Sequence, residues 1–408
     1  MVVIGAGIIG ISTALALQAK GHEVLVVDRQ DGEARASEMN AGAFAFTDVV
    51  PLATPGIMRK APKWLLDPVG PLSVPPAYAL KIAPWMLRFW RASWPDRYRH
   101  SLAAQADLMK LSQAALENQI GDTDAEHLFR REGQLQLFEG EAEFRASRHS
   151  WALRKEHGIR FVLLTGSDAI AEIQPGLHPR FTHAGFTPDW INTCDPAQWL
   201  AFLSATFSKR GGRFSQAEVT ALKPVEGEVQ LQTPEGALVA RQVIVCTGAW
   251  SHHLARTIGD RIPLETERGY NTTLPDGAFE LKTHLTFGGH GFVVTRINNG
   301  IRVGGAVELG GLKLPPNYKR ADILLTKAKS FLPDLETRGG TRWMGFRPSI
   351  PDSLPVIARS PNDSRVIYAF GHGHLGLTQS AGTAELVAAL VNDASLPIDM
   401  SAFSAHRF

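Results

Sequence analysis

The sequence predicts an α/β fold of two domains, one built on a parallel sheet and the other on an antiparallel sheet. Two observations predict the first domain. The chain opens as a strand, a glycine turn, a helix and a second strand over residues 1–30, and it closes with another strand, glycine loop and helix over residues 365–391. The second domain is predicted by period-2 alternation and turn signals over residues 263–309. The 408 residues are enough for both.

The opening turn has the glycine spacing of a Rossmann-like dinucleotide-binding unit. Its residues are Gly5, Ala6, Gly7, Ile8, Ile9 and Gly10. Gly5 permits the tight turn, Gly7 lets the backbone approach a pyrophosphate, and Gly10 lets the helix pack against the sheet. Asp28 ends the second strand, 18 positions after Gly10, where its carboxylate can accept a hydrogen bond from a ribose hydroxyl. The motif alone leaves NAD and FAD both open.

The closing segment has the same order of predicted elements as the opening one, namely strand, glycine loop and helix. Its glycine loop and first helical residues are Gly371, His372, Gly373, His374, Leu375, Gly376, Leu377 and Thr378. A second helix N-terminus can stabilise negative charge on the N1/C2=O edge of a reduced flavin, which NAD enzymes do not need. This favours FAD. The two histidines could instead form a metal pair, but no third ligand is evident.

Composition excludes several classes of function. The formal net charge is +2, and neither a Lys/Arg run nor zinc-finger spacing points to nucleic acid. The cysteines, Cys194 and Cys246, are 52 positions apart, which argues against a disulfide framework and fits a reducing compartment. Because the nucleotide strand begins at Val2, we expect no signal peptide. The expected location is the cytoplasm.

Residues 77–94 form a predicted helix with two distinct faces. Lys81, Arg88 and Arg91 fall on one stripe. The other stripe is apolar and aromatic, and it consists of Ile82, Met86, Phe89 and Trp90. Such a helix is typical of peripheral contact with a membrane surface, here the inner membrane, and it cannot span a bilayer. The alternative is that the aromatic face packs on the rest of the protein.

Other predicted elements are helices at residues 101–120, 141–157 and 196–210 and strands at residues 133–138, 184–190 and 217–222. Residues 36–42 are rich in small side chains that let backbone approach a ligand, although an ordinary loop would look the same.

With these features the sequence resembles the D-amino acid oxidase superfamily of flavoproteins, most closely its bacterial D-amino acid dehydrogenase branch. The matching stretches are GAGIIG with Asp28, SEMNAG at 37–42, PLATPG at 51–56, CTGAWS at 246–251, ERGY at 267–270, RWMGFRPSIPDSLPVI at 342–357 and GHGHLGLT at 371–378. They extend from end to end. The resemblance implies a discontinuous FAD-binding domain (1–43, 141–260 and 342–408) and a substrate domain (44–140 and 261–341).

The resemblance also implies the site residues. Arg347 would pair with the substrate carboxylate, with His374 and Tyr270 near the substrate. Besides the two glycine segments and Asp28, the residues implied to contact FAD are Arg29, Ala36, Ser37, Asn40, Ala41, Gly42, Val219, Thr247, Gly248 and Trp250. No Cys or His aligns with the attachment point of covalently flavinylated members, so noncovalent FAD is expected. A guanidinium suits its role because it holds a carboxylate bidentately.

The sequence therefore predicts an FAD-dependent oxidoreductase that oxidises the Cα–N bond of a small amino acid. The substrate expected is a D-amino acid or a cyclic imino acid of the proline or hydroxyproline type, with hydride transfer from Cα to flavin N5. Electrons would pass to a membrane quinone or another non-oxygen acceptor. The alternatives are an oxidase of glycine or sarcosine type that releases hydrogen peroxide, and a flavin subunit of a larger electron-transfer complex.

Overall fold

The structure, a computed structural model, describes residues 1–29, 35–59, 61, 67 and 70–408. Part of the stretch before the predicted two-faced helix therefore lies outside the described residues. The α-helices with bounds in the described residues are α1 (Ile8–Ala19), α2 (Ala79–Ala92), α3 (Pro95–Thr123), α4 (Gly140–Glu156), α5 (Ser167–Ile173), α6 (Pro196–Lys209), α7 (Ser251–Thr257), α8 (Lys319–Phe331) and α9 (Gly376–Val391).

The described residues form 21 β-strands. In chain order they are β1 (Val2–Ile4), β2 (Leu25–Asp28), β3 (Ala43–Phe44), β4 (Leu72–Ser73), β5 (Phe129–Arg130), β6 (Gln134–Glu139), β7 (Val162–Thr165), β8 (Phe181–Thr187), β9 (Ile191–Thr193), β10 (Arg213–Gln216), β11 (Ala221–Val225), β12 (Glu228–Thr233), β13 (Gly236–Ala240), β14 (Val243–Val245), β15 (Glu265–Leu274), β16 (His284–Phe287), β17 (Phe292–Ile297), β18 (Gly300–Glu308), β19 (Thr341–Ser349), β20 (Val356–Arg359) and β21 (Val366–Phe370).

The first layer is the predicted nucleotide-type sheet, with strand order β10-β2-β1-β14-β21-β20. Its strands are parallel except β20, which runs antiparallel to β21. The central strands are short apolar runs buried on both faces, as parallel sheets require. Helices α1, α6 and α9 cover one face, and the β11-β12-β13 meander with α7 covers the other. The predicted strand-turn-helix units at both chain ends are confirmed.

The second layer is a larger sheet with strand order β19-β15-β18-β17-β16-β6-β8-β7, to which β4 is added alongside β18. It is largely antiparallel, as predicted, but β16 pairs with β6 in parallel. Strand β8 pairs with β6, and β7 pairs with β8 at the edge of the sheet. Strands β7 and β8 therefore belong to this sheet, although the predicted domain bounds place residues 141–260 in the FAD-binding domain. Pairing between distant strands produces this arrangement, which local sequence pattern does not reveal, and the division into domains stays a prediction.

Three predicted elements differ in position. The strand predicted at 184–190 covers Phe181–Thr187 and ends before the turn at Pro188. The strand predicted at 217–222 begins at Ala221, because the preceding residues cross the end of the parallel sheet as a loop after β10. The helix predicted at 101–120 extends over Pro95–Thr123, so Gly121 does not stop it. It ends instead at Asp124, whose φ of 53° is left-handed.

Helix α2 has two distinct faces, as the sequence suggested, but its apolar residues are divided between a packed face and an exposed face. Ile82 and Trp85 are buried with Leu309, and Phe89 stacks on Trp85, so this aromatic face packs on the protein. A second apolar row is exposed, and its large members are Leu80, Leu87, Trp90 and the adjoining Trp94. None of the described helices is both long and apolar enough to cross a bilayer.

Candidate functional site

The carboxyl ends of the parallel strands and one face of the large sheet line a shared cavity of about 1390 Å³. Small-molecule pockets are usually about 300–1000 Å³, so this cavity has room for a large cofactor and a small substrate together. Both glycine segments predicted from the sequence open on it. The cavity is therefore the candidate active site.

The opening turn forms a tight cradle at the start of α1. Gly5 has φ of +105°, and its N–H donates to Val27 O at 2.8 Å. A Cβ on Gly10 would lie 1.8 Å from Gly5 O, so only glycine fits there. The Ala6 N–H donates to Asp28 Oδ2 at 2.7 Å. The Asp28 carboxylate therefore stabilises the turn, at the position where the sequence predicted a hydrogen bond to the ribose.

The small-residue segment predicted to approach a ligand lies beside this turn. Ser37 Oγ accepts from the Ile8 N–H at 3.0 Å. Asn40 is held at both ends, because its amide donates to Ser37 O at 2.9 Å and its Oδ1 accepts from the Gly42 N–H at 2.7 Å. Residues 36, 37, 40 and 41 line the cavity, while Gly42 follows them with a positive φ of 66°.

The third side of the cofactor region comes from the loops after β2, β10 and β14. Val219, Thr247, Gly248 and Trp250, which the resemblance implies to contact FAD, all line the cavity. The Arg29 guanidinium lies over the Trp250 ring, 4.2 Å from its centroid. Thr247 Oγ1 donates to Ser251 Oγ at 3.0 Å and so ties the loop to the first turn of α7.

The closing loop brings a second helix N-terminus to the cavity. Gly371 and Gly373 have φ of +89° and +56°, and α9 begins at Gly376 with no side chain capping it. His372 is buried and shares a 2.9 Å hydrogen bond with Thr383 Oγ1. Burial lowers the pKa of His372 to about 3, so its ring is neutral at physiological pH. Within the described residues, no cluster of His, Cys, Asp and Glu could hold a metal.

These residues fit FAD. Neither α1, with Gly7 at its N-cap, nor α9 is capped by the side chain of its own N-cap residue. Although the Ile8 N–H donates to Ser37 Oγ, both helices direct a positive dipole end toward the cavity. A Cβ on Gly7 would lie 3.1 Å from Ser37 Oγ, in the space between the turn and the 36–42 loop. A pyrophosphate at α1 and a flavin at α9 would satisfy both helix ends.

On the face of the large sheet that borders the cavity, glycines leave room for two large side chains. A Cβ on Gly269 would lie 2.2 Å from the Arg347 guanidinium, and one on Gly345 would lie 1.8 Å from the Trp343 ring. Both side chains therefore lie flat over glycine backbone on one face of β15 and β19. They form a floor that carries one cation and one large aromatic ring.

Arg347 is anchored through backbone carbonyls and not through an acid. Its Nη1 donates to Ala306 O at 2.9 Å and its Nη2 to Gly305 O at 3.5 Å. Among the described residues, no carboxylate lies within 4.0 Å of it. Burial lowers the pKa of Arg347, and the charge of Glu267 opposes this. The guanidinium is thus positioned to pair with an anion from the cavity.

His374 borders the cavity and is an exposed residue. Desolvation lowers the pKa of His374. The negative charges of Glu267 and Asp48 raise this pKa, whereas the positive charge of Arg347 lowers it further. Arg347 and His374 therefore lie close enough for their charges to interact, and their places beside the substrate stay predictions.

Tyr270 borders the cavity, but its hydroxyl is engaged elsewhere. It donates to Glu308 Oε1 at 2.8 Å and accepts from the Asn317 N–H at 3.0 Å. Glu308 also pairs with Arg268, which is fully buried. Strand alternation puts Arg268 and Tyr270 on the face of β15 opposite Gly269. The hydroxyl therefore belongs to a buried structural network, and its predicted place near the substrate stays a prediction.

Sequence reasoning missed three residues of this wall. They are Trp343, Glu267 and Arg302, which all line the cavity. Arg302 Nη1 donates to Asn40 O at 2.6 Å and thereby connects β18 of the large sheet to the 36–42 loop. Burial lowers the pKa of Arg302 to about 10. The ERGY and RWMGFRP stretches already contained Glu267 and Trp343 at alternate positions from Gly269 and Arg347. Period-2 counting on these strands would have found them.

Comparisons with known proteins agree with this geometry. The profile of the DAO family, described as FAD dependent oxidoreductase, matches residues 1–390. The chain is 33% identical to a D-amino-acid oxidase from Bradyrhizobium diazoefficiens, with 100% of this chain and 98% of the relative covered. It is 32% identical to a D-amino acid dehydrogenase from Sinorhizobium medicae, with 100% and 99% covered.

Solved structures show the same fold at lower identity. A glycine oxidase from Geobacillus kaustophilus superposes with a TM-score of 0.80 at 19% identity, covering 100% of this chain and 98% of the other. An L-proline dehydrogenase from P. horikoshii superposes with a TM-score of 0.76, also at 19% identity, covering 100% and 96%.

Proposed function

The chain belongs to the DAO family of FAD-dependent oxidoreductases and is an enzyme of the D-amino acid oxidase/dehydrogenase type, and from this premise we propose that it oxidises the Cα–N bond of a small amino acid. The proposed substrates are D-amino acids and cyclic imino acids of the proline type. The observation that supports this best is the Arg347 guanidinium on the cavity floor, with no carboxylate of the described chain paired to it.

The residues of the chain provide binding and orientation in this proposal. A substrate carboxylate pairs with the Arg347 fork, which fixes the direction of the Cα–H bond. Trp343 and the glycine-cleared strands shape the floor beneath the substrate. His374 stands beside the same space. When bound, FAD supplies the acceptor for the hydride that leaves Cα.

The test is a dye-reduction screen over D- and L-amino acids, proline, hydroxyproline and N-methylglycine, with hydrogen peroxide measured in parallel. We expect reduction of the dye by a D-amino acid or a cyclic imino acid, with little peroxide. Rapid peroxide release with glycine or N-methylglycine would establish the oxidase alternative. Failure of the purified, flavin-loaded chain to turn over any amino acid would instead favour a subunit of a larger complex.

We further propose that the electrons leave to a membrane quinone and that α2 lies on an anionic membrane surface. The support is the exposed apolar row on α2, where Leu80 is 91% and Leu87 62% exposed. Lys81, Arg88 and Arg91 are exposed on the same helix. Exposed Leu and Trp side chains next to cations are the features that hold an amphipathic helix at an anionic lipid interface.

Sedimentation with vesicles of mixed anionic and neutral lipids tests this proposal. Changing Lys81, Arg88 and Arg91 to Gln should remove most of the binding, and Leu87→Gln should weaken it. The matched control is Leu163→Gln, which removes an exposed leucine, 42% accessible, from the edge strand β7. Binding that is unchanged in the triple variant would refute the membrane contact.

A further inference from the structure

A carboxylate on the cavity wall has no role in the reaction as described so far. Glu267 is 6% exposed, borders the cavity, and lies directly opposite Arg347 across β15 and β19. Among the described residues, none donates a hydrogen bond to its side chain, and none forms an ion pair with it within 4.0 Å. Burying a carboxylate without partners is costly, so a charged group without them in a cavity indicates a ligand contact.

The neighbouring acids show that this is specific to Glu267. Glu265, two residues earlier on the same strand, accepts from the Tyr78 hydroxyl at 2.8 Å. Glu308 accepts from Arg268 at 3.2 Å and from the Tyr270 hydroxyl at 2.8 Å. Both carboxylates are therefore satisfied within the protein, whereas that of Glu267 is not.

The position of Glu267 relative to Arg347 indicates the charge of the ligand group that would bind to Glu267. Side chains directly opposite on antiparallel strands have Cβ atoms about 4.5–5.5 Å apart. Arg347 nevertheless donates to Ala306 O and Gly305 O and makes no ion pair with Glu267. Once a substrate carboxylate neutralises Arg347, the negative charge of Glu267 is left without compensation. In an amino acid the ammonium nitrogen is bonded to the carbon next to that carboxylate.

We propose that Glu267 binds the α-ammonium group of the substrate and thereby restricts the site to amino and imino acids, against carboxylates that lack an amine. This inference rests on the proposed function, since it assumes that Arg347 holds the carboxylate. Glu267 is then a specificity-determining residue, and Arg347 and Glu267 together recognise a zwitterion.

The test compares two ligands that differ only in the amine. 2-Aminoisobutyrate has no hydrogen on Cα and so cannot donate a hydride, and 2-methylpropanoate lacks the ammonium group. Titration of the FAD-loaded protein, followed by flavin absorbance and calorimetry, gives both dissociation constants. In the wild type, 2-aminoisobutyrate should bind about tenfold or more tightly than 2-methylpropanoate, the factor that one charge-assisted hydrogen bond produces.

Glu267→Gln should remove this preference while leaving the affinity for 2-methylpropanoate equal or higher. The matched control is Glu265→Gln, which removes the same charge from the same strand and should keep the wild-type ratio. Equal affinities in the wild type, or a preference that persists in Glu267→Gln, would overturn the proposal while leaving the proposed function intact. Failure of the wild type to bind either acid would overturn both. If Glu267→Gln does not retain FAD, the wild-type ratio alone decides.

Discussion

Removing the guanidinium of Arg347 should abolish most of the activity and leave the flavin in place. The side chain is held by Ala306 O and Gly305 O and forms part of the cavity floor. Loss of one member of a buried charge pair costs about 2 to 5 kcal/mol in binding. Arg347→Ala should therefore lower kcat/KM by about 30-fold to 4000-fold.

The same change should also affect stability, to a smaller degree. Two hydrogen bonds to backbone carbonyls are lost, each worth about 1 kcal/mol, and Glu267 loses its neighbouring positive charge. We expect the free energy of unfolding to fall by about 1 to 3 kcal/mol. Arg347→Lys should recover only part of the activity, because an ammonium cannot make the bidentate contact.

Bound flavin, melting temperature and dye-coupled kinetics measured on the same preparations separate the two effects. Arg342→Ala is the control, since that arginine lies on the same strand with half of its side chain exposed and paired with Asp322. Its kcat/KM should stay near that of the wild type. A folded, flavin-loaded Arg347→Ala enzyme with near-normal kcat/KM would refute the placement of the substrate carboxylate at Arg347.

Three further predictions concern the cofactor and pH. Gly7→Val should abolish flavin binding while the apoprotein stays folded. Gly10→Val should also destabilise the apoprotein, because a Cβ at position 10 would lie 1.8 Å from Gly5 O. Thermal melts of the two apoproteins distinguish these outcomes. Acid precipitation should leave all flavin in the supernatant, and a yellow pellet would contradict noncovalent binding. Burial lowers the pKa of His284 from 6.5 to about 3, so its stabilising contribution is complete above pH 6.5 and is lost as the pH falls toward 3. Near pH 5, His284→Gln should reduce the slope of unfolding free energy against pH by up to about 1.4 kcal/mol per pH unit, and an unchanged slope in denaturant titrations would refute this.

Some of the fold and site could be predicted because the signal lies within a few consecutive residues. The order strand, glycine turn, helix and strand, with Asp28 at the strand end, depends on local backbone geometry and on contacts inside one βαβ unit. The loop at Gly371 and the helix after it are local in the same way. These stretches therefore predicted the dinucleotide cradle and the second helix N-terminus directly.

The remaining features were decided by pairing between distant parts of the chain. Glu267 and Arg347 are 80 positions apart, and only the register of β15 with β19 places them opposite each other. That register also turns the Tyr270 hydroxyl toward Glu308 and away from Gly269, a difference of one residue along the strand. A shift of one residue in pairing exchanges the two faces of a strand. Sequence alone could name the motif, but only the tertiary structure decided which of its side chains faces the cavity.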